Sequence, residues 1–216
     1  MTIQERLKSI QKKLMELKEK DKDMTIFGAA DDVFFNYPGH HYELNPVLSE
    51  EQVAAAEKQL GIRLPEEYRE FIKTVGDGGA GPEWGLFTLR QSYPSDEFLK
   101  EYPDFCSMDC DYADDYANGI KKNHYDKGEM DYMEPVEGFG GYIKLADYGH
   151  GMTAYMVVDK AQQTGKMWFI NEEGEAGPRI APMMQNIPGR DWQVSFLDWY
   201  ENWLDDSLDE LAKNSK

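Results

Sequence analysis

LSEEQVAAAEKQLGIRLPEEYREFIKTVGDGGAGPEWGLFTL, residues 48–89, is punctuated like two consecutive helices. Ser49 followed three residues later by Gln52 has the spacing of a capping box, in which each side chain accepts a backbone N–H at the helix start. Val53, Ala56 and Leu60 then fall on one helical face, and Gly61 suits the left-handed residue that ends such a helix. Ile62-Arg63-Leu64 bridges to Pro65, whose fixed φ and missing N–H suit a first helical position. Tyr68, Phe71, Ile72 and Val75 form the apolar stripe of the second helix, and Gly76-Asp77-Gly78-Gly79 stops it. Beyond the glycines, Trp84 to Leu89 reads as a short core strand. Leu60, Leu64, Tyr68, Phe71 and Trp84 are therefore assigned to the core, with Gly61 and Gly76 to Gly79 at positive φ.

Toward the C-terminus, strands are expected at Gly141 to Asp147, Thr153 to Asp159 and Lys166 to Asn171, joined as an antiparallel meander. Glu172-Glu173-Gly174 makes the next turn, and Gly177, Pro178, Pro182 and Pro188 mark loop. Ser195 and Asp198 have capping spacing at the start of a last helix, with Phe196, Tyr200, Trp203, Leu204, Leu208 and Leu211 along one face. Toward the N-terminus, Ile26 to Pro46 reads as irregular connection that contributes Phe34, Phe35 and Tyr37 to packing. Before it, Ile3, Leu7, Ile10, Leu14 and Leu17 make one apolar stripe on a charged helix, which docks on the chain's own core or on a second copy. The fold class that follows is α+β, a central, mostly antiparallel sheet flanked by N-terminal helices and a C-terminal helix. Residues 1–24 form the amphipathic helix and 26–213 a single domain.

The run from Leu48 to Leu89 resembles the opening of the SUKH superfamily, the domain shared by a yeast cell-wall assembly regulator and many bacterial immunity proteins. The resemblance rests on Glu57, Leu60-Gly61, Leu64-Pro65, the Tyr68 to Phe71 helix and the glycine-rich turn. It continues through Ile143 to Asp159 and Lys166 to Phe169 and ends in the Ser195-Phe196 to Trp203-Leu204 helix, covering roughly residues 46 to 206. It implies a SUKH-like α+β binding module, and for a bacterial member an antidote to a toxin delivered by a neighbouring cell. The helical N-terminus and a long insert, residues 93–134, depart from the family pattern.

Composition restricts the partners. Twenty-three basic residues against 41 acidic give a net charge of -18 in 216 residues, which opposes binding to nucleic acid and to anionic membranes. Such a field attracts a cationic protein, or simply keeps the chain soluble. The first twenty residues lack the continuous apolar stretch of a signal peptide or anchor, and two cysteines in a chain of this size suit a reducing cytoplasm. His40, His41, His124 and the Cys106/Cys110 pair lack the paired ligand spacing of a zinc site. Asp109, Asp111, Asp114 and Asp115 lack the glycine and terminal glutamate of a calcium loop. No nucleophile elbow, phosphate loop or dinucleotide fingerprint occurs, so no metal, cofactor or catalytic residue is expected and the chain reads as a non-enzyme.

The insert has twelve Asp or Glu against four Lys, interleaved with Tyr93, Phe98, Tyr102, Phe105, Tyr112, Tyr116, Tyr125 and Tyr132. Tyrosine and carboxylate together suit recognition of a basic protein, while the three- and four-residue aromatic spacing equally suits burial of one side of local helices. Asp109, Asp111, Tyr112, Asp114, Asp115 and Tyr116 are the candidate partner-binding residues. Two functions remain open: an immunity protein, monomeric or homodimeric, that binds a cognate toxin such as a basic nuclease, or a regulatory adaptor in a signalling or cell-wall assembly pathway.

Overall fold

The two expected capping boxes close the starts of their helices. In the computed structural model, which describes residues 1–34, 36–107, 140–149, 151–158, 164–171, 179–183 and 194–214, Ser49 and Gln52 exchange backbone hydrogen bonds at the start of α2 (Glu50–Leu60). Gly61 ends that helix at φ 69°. Pro65 stands one residue earlier than expected, as the N-cap of α3 (Glu66–Thr74). Ser195 and Asp198 make the same reciprocal pair ahead of α5 (Phe196–Asn214). The N-terminal helix α1 (Ile3–Lys20) opens on a Thr2–Glu5 capping box that the sequence reading did not single out.

The sheet is an antiparallel meander in the order β1 (Tyr142–Gly149), β2 (Met152–Val157), β3 (Met167–Asn171), β4 (Arg179–Pro182). The first three strands fall within two residues of their expected limits. β4 corrects the expectation of loop from Gly177 onward: its four residues pair along β3 through Trp168↔Pro182 to Asn171↔Arg179, and Pro182 closes the strand where a missing N–H is tolerated. Residues 172–174, the expected turn, lie outside the described residues.

Trp84 to Leu89 is not a strand. Only Leu86 bridges, to Gly79 on one side and Ala146 of β1 on the other. Gly85 at φ 94° and the Thr88–Ser92 turn bend the chain on either side of it. Leu44 bridges Gly79 in turn, so three single-residue contacts extend the sheet beyond β1. Gly78 and Gly79 take the expected positive φ. Gly76 does not; it is small because a Cβ there would stand 2.9 Å from the Leu44 Cβ.

The stripe of α1 settles on the chain's own core, with Leu7, Ile10, Leu14 and Leu17 buried in the same cluster as Tyr68, Phe71, Ile143, Leu145, Phe196 and Tyr200. Phe196 meets Tyr68 and Phe71 edge-on at 5.1 and 5.0 Å, geometry that ring quadrupoles favour. The one polar atom that Tyr200 brings inside is satisfied, its hydroxyl donating to the Ala80 carbonyl at 2.8 Å. Among the described residues no helix is long and apolar enough to cross a membrane.

Candidate partner-binding surface

The insert begins as packed structure. Ser95 caps a short helix, α4 (Asp96–Glu101), and a 3₁₀ turn follows at Phe105–Ser107. Phe98 contacts Tyr102 at 4.9 Å and Phe105 at 5.2 Å, and Phe105 meets Tyr142 of β1 at 5.5 Å. For these aromatics the local-packing alternative is the one realised. The Gly141 N–H donates to the Phe105 carbonyl at 2.8 Å, which ties the 3₁₀ turn to the start of β1. Asp109, Asp111, Tyr112, Asp114, Asp115 and Tyr116 lie outside the described residues, as do Cys110 and His124.

The supposed metal donors serve other ends. Cys106 is buried and its thiol is pushed up to about 12 by burial, which removes the thiolate that metals and electrophiles need. His41 faces Asp31 at 3.1 Å. His40 is not a surface residue: it is 8% exposed, its Nδ1 accepts the Tyr42 N–H at 3.1 Å, and its Nε2 has no partner. Burial, with a smaller effect of His41, pushes its imidazole down to about 4, so it is neutral at pH 7. Among the described residues no three His, Cys, Asp or Glu are grouped to hold a metal.

Two arginines, Arg69 and Arg6, turn inward. Arg69, almost fully buried on α3, binds Glu57 at 3.1 Å and both oxygens of Glu50, while Glu57 also accepts the Leu64 N–H at 3.0 Å. The Arg69 hydrogen bond, with help from Lys73, lowers the Glu50 carboxyl to about 2. Arg6 gathers Glu67 of α3 with Asp198 and Glu201 of α5 at 2.6–3.2 Å, and Glu67 also accepts the Leu197 N–H. Arg63 and Arg90 pair with Glu66 and Asp96. All four arginines whose side chains are described are thus held by the chain's own carboxylates. A guanidinium fork already occupied cannot grip phosphate bidentately.

One surface is not evident in the sequence. Phe34, expected to pack, is 87% exposed beside Val33 at 92%, because the Asp32–Tyr37 bridge turns the chain outward between them. Trp84, assigned to the core, is only half-buried and lies under this turn, stacked on Tyr37. The available signal was Asp31-Asp32 before and Asn36-Tyr37-Pro38-Gly39 after a short apolar run, the punctuation of a surface turn.

Fold and surface together define an acidic α+β domain whose described arginines pair with its own carboxylates. The chain belongs to the SMI1 / KNR4 family (SUKH-1), whose family model matches residues 47–185, a family of immunity and regulatory domains. No curated protein and no solved structure matches it. The matched span takes in α2, α3, the insert and the four strands; α1, the turn at Val33-Phe34 and α5 lie outside it.

Proposed function

We propose that the chain is an immunity protein that binds and neutralises a cognate toxin of the polymorphic or contact-dependent kind, with a basic nuclease as the best fit. Membership of the SUKH-1 family supports a binding role. The observation that carries the reading further is the carboxylate surplus, a net charge of -18 with the described arginines already engaged internally. A nuclease must present cations to hold phosphate, and an acidic surface competes for those cations. Inhibition then follows from occlusion, with no catalysis by this chain. In this reading residues 26–213 act as one binding domain in the cytoplasm, and Asp109, Asp111, Tyr112, Asp114, Asp115 and Tyr116 contact the toxin.

The test is co-expression with the toxin-like reading frame adjacent to this chain's gene. Restored growth, and a complex that survives purification, are expected. Absence of such a frame, or unrelieved toxicity, contradicts the immunity reading and favours a regulatory adaptor, the other role the family holds.

A further inference from the structure

We propose that Val33 and Phe34, carried on Asp32, are a docking tip that seats in an apolar, basic-rimmed pocket of the protein partner. The proposal rests on the partner-binding reading above and gives it a second contact, outside the residues that the family model matches.

The mounting of the tip carries the argument. The Asp32 N–H donates to the Tyr37 carbonyl at 2.8 Å and the Tyr37 N–H returns to the Asp32 carbonyl at 3.1 Å, closing the turn. The Phe34 N–H donates to Asp32 Oδ1 at 2.8 Å, and the Gly39 N–H to Asp31 Oδ1 at 2.8 Å. Beneath the turn, Tyr37 stacks on Trp84 with ring centroids 4.7 Å apart and 15° between planes, and Phe27, itself 57% exposed, meets the same indole at 4.8 Å. Gly28 lies so close to the Glu83 carbonyl that a Cβ would come within 1.6 Å of it, and a Cβ on Gly39 would come within 2.3 Å of Ala30. Met24, Asn36, His41 and Tyr42 hold positive φ in the same loop, strain that persists only where the surroundings fix it. Flanks already held in place reduce the conformational entropy lost on docking. Val33 and Phe34 are adjacent exposed apolar side chains, of the kind that marks binding sites.

Charge selects the occupant. Asp31 and Asp32 adjoin the tip in a stretch, Asp23 to Glu57, that has no Lys or Arg, and the Asp31 carboxylate is largely exposed. A second copy of this chain would bring the same acids face to face, and an anionic bilayer is repelled. A protein whose apolar pocket is edged by Lys and Arg complements both features.

The experiment compares the full chain with its Val33→Ser/Phe34→Ser double variant in interferometry against the isolated toxin domain of the adjacent reading frame. Dissociation at least about tenfold faster, with association changed far less, is expected, and the melting temperature should hold because both side chains already face solvent. Equal dissociation rates overturn the tip and leave the immunity reading standing. No binding by the unaltered chain, or no such frame, overturns that reading and the tip's occupant with it. Sedimentation of the chain alone and flotation with phosphatidylcholine vesicles examine the other occupants. Self-association or vesicle binding that the double variant loses would assign the tip to a second copy or to a bilayer, and would overturn the proposal.

Discussion

Arg69 shows how little of a buried ion pair is legible one residue at a time. Glu57 stood out within the family-like opening, and its task is to accept the Leu64 N–H while pairing with Arg69, twelve residues later on the next helix. Sequence spacing carries no sign of that meeting, because it depends on how α2 and α3 pack. Arg69→Ala would leave Glu57 enclosed without its cation, and loss of a buried partner costs about 3 kcal/mol; urea unfolding at pH 7 should show an unfolding free energy lower by that amount, with a lower midpoint. His40 makes a different test. Its folded imidazole titrates at about 4, below the ordinary value near 6.5, so the unfolded chain takes up the proton first. The contribution is fully present above pH 6.5 and is lost as pH falls toward 4, up to ~3 kcal/mol. Carboxylates with lowered pKa add their own loss at lower pH. The difference between the unaltered chain and His40→Gln, measured between pH 7 and 4.5, isolates the histidine: the variant should be the less pH-sensitive of the two.

Elements with their own punctuation were legible, and those set by neighbours were not. α2, α3 and α5 each carry a cap or a stop in sequence, and β1 to β3 carry alternating or continuous apolar runs between turn residues. Trp84 to Leu89 has strand composition, yet Gly85 and the turn at Thr88 leave only Leu86 to bridge. β4, with four residues and a proline, is made a strand by its pairing with β3. The apolar stripe of α1 was plain, but whether it met this chain or a copy depended on tertiary packing. Since the stripe is buried against the same core as α3 and α5, Leu14→Ala should cost about 3 kcal/mol through the cavity it leaves. Calorimetry should record a lower melting temperature, and sedimentation no change in assembly state. A variant that altered assembly while keeping its stability would place the stripe at an interface instead.

At the scale of the molecule the account turns on charge. The chain's composition announced an acidic surface, and the structure adds that Arg6, Arg63, Arg69 and Arg90 are engaged internally. The candidate residues from Asp109 to Tyr116 follow from composition alone, whereas the tip at Val33 and Phe34 emerges only from the fold, because exposure of an apolar side chain is a tertiary property. Each makes its own kinetic prediction. Charge reversal at Asp111, Asp114 and Asp115 should slow association with the toxin by more than about tenfold at low salt and by less at high salt, since long-range steering is screened; rates unchanged by the reversal would remove the insert from the interface. The most direct measurement is the association rate of the unaltered chain with the purified toxin domain of the adjacent reading frame, by stopped flow from ~20 to ~500 mM salt. A tight complex is expected, with an association rate that falls at least about tenfold over that range. A toxin domain that does not bind, or one that binds at a rate indifferent to salt, would contradict it.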